Sequence, residues 1–208
     1  MAYSVTGDGI VTDTAIDAGS TAEGGSVTIT SGAYSVPALA SGVPGAGEAP
    51  SDGTVTLTGG GTRVTVEDPG TSAFPGTVLV GADNPGGTGT LLVEGGARLT
   101  ARTGFDRGFE GEYVADAGLF VGRGDVGLGA MAVAGEGSAL LVDGYAARIN
   151  VGYGAGGGTD LDVGFRADPL SLVQGRLTIA DGATAGALHL EVGRGGGRGL
   201  VEIVGEGS

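Results

Sequence analysis

Asp160, Asp162, Arg166 and Asp168 gather within nine residues of a glycine-rich stretch and are the first candidates for chemistry. Carboxylates this close can hold a hard divalent cation. With arginine beside them they could also bind an anionic sugar and activate its carbon acid. Residues 154–165 read GAGGGTDLDVGF, a partial match to the nonapeptide G-G-x-G-x-D-x-U-x, whose tandem turns bind calcium. Ala155 replaces the first glycine, and Leu161 and Asp162 sit one place out of phase. Tandem copies let carboxylates from successive turns share an ion; here there is one copy. Two readings follow, a plain glycine turn and a calcium site with Asp160, Asp162 and Asp168 as ligands. The single copy favours the turn. The same cluster could serve a carbohydrate-active enzyme on acidic polysaccharide, or it could be a solvated insertion. The one histidine, His189, lies between Leu188 and Leu190 and should point outward beside Glu191. No serine–histidine–aspartate arrangement surrounds it, so a catalytic role is not expected.

A second group is aromatic. Residues 102–116 carry Phe105, Arg107, Phe109, Glu110 and Tyr113; residues 153–174 carry Tyr153, Phe165 and Arg166. Five of the chain's ten aromatic residues are therefore in two short segments. Aromatic rings beside arginine can stack on sugars or pack on a protein partner. They could equally fold back as a lid. Threonines at Thr28/Thr30 and Thr54/Thr56/Thr58 form T-x-T rows like those of ice-binding faces. The row fails further along, where the equivalent residues are Leu92, Ala132, Thr178 and Glu202.

These candidates sit on a repeat. An alternating apolar motif ending in a glycine turn recurs at Tyr3/Val5, Val27/Ile29, Val55/Leu57, Leu91/Val93, Met131/Val133, Leu177/Ile179 and Val201/Ile203. Successive copies are 24, 28, 36, 40, 46 and 24 residues apart, so 24 is read as the unit and the excess as insertions. A second motif holds Val78/Val80, Leu119/Val121, Ile149/Val151, Leu161/Val163 and Leu190/Val192. A third short segment appears at 63–66 and 139–142. Period-two alternation means strands with one buried face. Short strands stacked unit on unit predict an all-β fold, a parallel β-solenoid of the right-handed β-helix type. About seven coils, with insertions at the corners, would rise about 35 Å at ~4.8 Å per coil. An antiparallel sandwich is the second choice, because it does not predict one motif recurring in one orientation.

Composition agrees with this. The 208 residues include 48 glycines, seven prolines and no cysteine. Glycine supplies sharp corners with positive φ and close backbone approach. The absence of a G-X-Y period excludes collagen. Without cysteine there are no disulfides, zinc–thiolate sites or iron–sulfur clusters. Twenty-four acidic residues against ten arginines give a net charge of −14, which argues against nucleic acid as a partner. No apolar run is long enough to span a membrane as a helix. The first residues do not read as a signal peptide, and the pattern VEIVGEGS at the end predicts a piece of a longer protein.

Three stretches join V-G-x-x-x-G to G-x-L-x-V-x-G-x-G-S: residues 80–97, 121–138 and 192–208. Here the chain resembles the glycine-rich repeats of bacterial autotransporter (type V secretion) passengers and PEP-CTERM-associated proteins. Residues 77–208 follow the typical repeat; residues 1–76 share its strand motif and form divergent first coils. The resemblance implies a β-helical stalk, secreted or on a bacterial cell surface, with no catalytic residues. The expectation is one repeat array over residues 1–208, non-enzymatic and structural or adhesive, that displays its insertions and stacks head-to-tail through open ends. Host or matrix polysaccharides, or surface proteins, are the expected partners; no cofactor is expected unless calcium stabilises the module.

Overall fold

The computed structural model describes residues 2–7, 9–13, 15–44, 49–67, 77–81, 87–102, 118–123, 127–144, 147–153, 174–193 and 197–208. Among these residues the fold is all-β, with eighteen strands and no helix. The first are β1 (Ala2–Gly7), β2 (Ile10–Val11), β3 (Ile16–Ala18), β4 (Gly25–Val36) and β5 (Ala38–Ser41). Next come β6 (Asp52–Thr58), β7 (Thr62–Glu67), β8 (Thr77–Val80), β9 (Thr88–Glu94) and β10 (Arg98–Arg102). Then follow β11 (Leu119–Arg123), β12 (Leu128–Ala134), β13 (Ala139–Asp143) and β14 (Arg148–Tyr153). The last are β15 (Gly175–Ala180), β16 (Thr184–Gly186), β17 (His189–Val192) and β18 (Gly199–Val204).

Pairing is mostly parallel and runs in three ladders. Ladder one is β4-β6-β9-β12-β15-β18, with Gly25, Gly53, Gly89, Gly129, Gly175 and Gly199 in register. Ladder two is β4-β7-β10-β13-β16, so β4 serves both, its first half in one and its second half in the other. Ladder three is β3-β5-β8-β11-β14-β17. The chain visits them in rotation, three to one to two, and every return lands beside the previous visit.

Alternation explains the core. Val55 and Leu57 of β6 are buried, while Thr54, Thr56 and Thr58, which alternate with them, are partly exposed. The buried residues of all three ladders form one apolar cluster that includes Ile29, Val64, Leu91, Val133 and Ile149. Each such side chain contributes roughly 1.5–3 kcal/mol by leaving water. The rows of outward residues also follow the expected register: Thr28, Thr56, Leu92, Ala132, Thr178 and Glu202 are successive neighbours.

The corners differ in length. From ladder one to ladder two the turn is always short: β4 passes straight through, and residues 59–61, 95–97, 135–138 and 181–183 make the rest. The chain closes across these turns, as in Thr62 N–H to Gly59 O at 2.9 Å and Ser138 N–H to Gly135 O at 3.1 Å. The Thr62 hydroxyl donates to Thr58 O at 2.6 Å. Length variation lies at the other two corners, on either side of ladder three. The longest gaps separate β10 from β11 and β14 from β15.

The corner from ladder three to ladder one explains why V-G and G-x-L-x-V are linked in the sequence. Gly122 has φ +70, and a Cβ there would overlap Gln174 O on the next rung. Gly129, the second residue of β12, lies against it, and a Cβ there would overlap both Val80 O and Gly122 N. The same pairing joins Gly42 to Gly53, Gly81 to Gly89 and Gly152 to Gly175. The two glycines meet however many residues lie between them.

One expectation needs correction. The motif at Tyr3/Val5 is not a first parallel coil. β1 pairs with β4 in the antiparallel sense, Tyr3 opposite Ile29 and Val5 opposite Val27. Likewise β2 pairs antiparallel with β3. The apolar alternation is the same in either direction, so the motif identifies a strand without its polarity. Six of the seven motif copies stand in the parallel ladder.

Candidate functional site

Ladder three lies between the two corners whose lengths vary. Leu119 and Val121 of β11 point into the core, so Phe120 between them points outward. Yet Phe120 is only 1% exposed. Its row runs Leu79, Phe120, Asn150, Glu191 on successive strands. The Arg123 guanidinium carbon stands 4.9 Å from the centre of the Phe120 ring. Tyr153, opposite Arg123 in register, meets the same ring edge-on, with centroids 5.7 Å apart and planes at 81°. An arginine held over an aromatic face adds about 0.5–2 kcal/mol, more as water is excluded. Asn150 is buried, and its Nδ2 donates to Leu119 O at 3.4 Å. One strand further, Arg148 and Glu191 pair at 3.5 Å, both partly exposed.

Arg123 and Tyr153 are partly exposed and can offer recognition chemistry, a planar cation and a phenol, while the buried Phe120 ring and Asn150 amide hold them from below. Such groups hold sugar rings or protein side chains by stacking and hydrogen bonds. Among the described residues no group of three His, Cys, Asp or Glu side chains could hold a metal ion.

Of the candidates named from the sequence, Tyr153 is placed here, at the end of β14. Phe105, Arg107, Phe109, Glu110, Tyr113, Phe165, Arg166, Asp160, Asp162 and Asp168 lie outside the described residues, as do Leu161 and Val163 of the second motif. His189 is exposed, in register with Arg148. Sequence reasoning missed Phe120, Arg123 and Asn150. The signal was present in LFVGRG: a phenylalanine at an outward position inside an apolar strand predicts something packed on both faces.

Two other faces are polar but ordinary. Arg102 bridges Glu67 at 3.0 Å between neighbouring rungs of ladder two, and Ser35 donates to the same carboxylate at 2.9 Å. Arg176 approaches Glu202 at 3.5 Å on ladder one. Exposed pairs of this kind contribute about 0–1 kcal/mol each. No helix among the described residues is long and apolar enough to cross a membrane. No protein-family model, curated protein or solved structure matches the chain.

Proposed function

We propose that the chain is a β-solenoid with a non-enzymatic, structural and adhesive role, a stiff repeat scaffold that displays its insertions beside ladder three. The observation that carries this reading is the constant corner glycine pair across insertions of different length. A scaffold that keeps one register while its corners vary separates stability from display. The outer cluster of Phe120, Arg123 and Tyr153 supplies an anchored base for recognition next to the two longest gaps. The three V-G…G-x-L-x-V stretches, by their resemblance to secreted repeats, favour a place outside a bacterial cell. The partner of this reading is a surface polysaccharide or protein.

An array of bacterial and host glycans, probed with the intact chain, tests it. Binding should survive calcium chelation and weaken at least tenfold in Arg123→Ala with Tyr153→Ala. Cleavage products from an acidic polysaccharide, lost in Asp160→Ala with Asp162→Ala, would instead make the protein an enzyme. A melting temperature that rises with calcium would replace this reading with a calcium-stabilised module.

A further inference from the structure

We propose that the Asp143–Gly144 step is a site of spontaneous backbone isomerisation, where the folded chain converts aspartate to isoaspartate through a cyclic imide. This covalent change goes beyond the scaffold role and needs no partner other than water.

Asp143 is exposed at the end of β13, and Gly144 begins the corner that leads to β14. The Gly144 amide donates to Oδ1 of Asp143 itself, at 2.9 Å. Its nitrogen therefore stands beside the carboxyl carbon that it would attack. Gly144 has φ +122, a conformation that glycine holds without steric cost, and it has no Cβ to crowd the approach. Groups already held in contact lose little further freedom on the way to a bond.

The sequence has three further Asp-Gly steps, at Asp8, Asp52 and Asp181. Asp8 lies outside the described residues. Gly53 is buried within β6, in register between Gly25 and Gly89 of the neighbouring strands. Ring closure at Asp52 would pull it out of the ladder. At the third step the Gly182 amide donates to the Ser208 hydroxyl at 3.2 Å, and Asp181 holds a left-handed φ of +55. Among the described residues, only the Gly144 amide is held against the carboxylate that precedes it.

The reaction needs no oxidant, reductant or cofactor. The Gly144 nitrogen bonds to Asp143 Cγ and loses its proton. One carboxyl oxygen leaves as water, with one proton from the amide and one from solvent. Water then reopens the imide. Cleavage between the nitrogen and Cγ restores aspartate. Cleavage between the nitrogen and the main-chain carbon leaves the chain running through Cγ, with that main-chain carbon as the free carboxylate. Isoaspartate adds one carbon to the backbone at a corner where the connections from ladder two to ladder three already differ in length. The strands should therefore keep their register while the isomer builds up with the age of the folded molecule.

The test keeps the intact chain in warm neutral buffer made with heavy-oxygen water, either folded or in urea, and then cuts it after arginine. Electron-transfer fragmentation of the peptide 124–148 locates the label and tells aspartate from isoaspartate. In the folded chain, label and isomer should enter Asp143 at least tenfold faster than Asp52 or Asp181, and no more slowly than in urea. In urea the three rates should converge. Asp143→Asn closes the same ring by expelling ammonia and should isomerise faster still. Asp143→Glu, whose ring would be one carbon larger, should give no isomer at this position. Circular dichroism checks that both variants fold, and the comparison of folded with urea-treated wild type needs neither. Equal folded rates at the three steps, a slower rate at Asp143 in the folded chain than in urea, or an isomer at this position in Asp143→Glu would each overturn the proposal.

Discussion

Gly129 shows what a single residue decides in this molecule. Its φ is not positive, so glycine is required there by contact and not by conformation. A methyl group would overlap the Val80 carbonyl and the Gly122 amide, both backbone, and neither can yield without moving a rung. We expect Gly129→Ala to cost about 3 kcal/mol, at the upper end for overpacking. Gly60 in a short turn has open space where its Cβ would be, so Gly60→Ala should change stability by less than about 1 kcal/mol. Urea unfolding of the two variants checks the contrast; equal losses would show that the corner tolerates a side chain. Tyr34 tests a different term. Burial, aided by the Tyr3 phenol, pushes its phenol above the ordinary range. A raised folded value gives stability that is full below the unfolded value of about 10 and is lost as pH rises through the folded one. Tyr34→Phe should therefore melt above the wild type increasingly as pH passes about 10. Parallel pH profiles would refute this.

At the scale of the element, the strands were legible because period two survives in short segments. Val55/Leu57, Leu91/Val93 and Val78/Val80 all proved to be buried pairs. β3 and β5 were not read, because Ala18 and Ser41 stand at inward positions where the motif has Val. Ser41 survives there because its hydroxyl donates to Gly53 O at 2.9 Å and accepts from the Thr90 amide at 2.8 Å. Truncations should follow the ladders. Leu57→Ala, on an interior strand of ladder one, is expected to cost about 2–5 kcal/mol. Ile203→Ala, at the same inward position on the outermost strand, should cost under about 1 kcal/mol. Similar losses would mean that the last strand is as well covered as the others. Phe120→Ala should fall with the core group despite its outward position, at about 3–5 kcal/mol, since the ring is buried.

For the whole molecule, stability should vary along the array. Amides beneath few buried apolar side chains open first. Leu190 and Val192 of β17 and Ile203 of β18 are exposed, while the inward residues of β9 and β12 are buried. Amide exchange should be slowest in β6, β9 and β12 and fastest in β16, β17 and β18. Uniform protection across the ladders would contradict this gradient. At this scale the proposed function concerns placement: the corners that vary in length precede and follow ladder three, while ladders one and two keep their short connection.

The sequence by itself determined most of the strands, their inward faces and the repeat that makes them equivalent, though not β3 and β5. Alternation is a local property that a chain cannot hide, and a glycine required by contact must recur wherever the contact does. Polarity and neighbourhood were decided only in three dimensions. Tyr3/Val5 carries the same alternation as its six successors, yet it runs antiparallel, because period two has no direction. Phe120 and Asn150 lie on different strands, and parallel pairing alone made them neighbours. The acidic cluster around Asp160 lies outside the described residues, while the contacts of Phe120 with Arg123 and Tyr153 exist only because the strands pair.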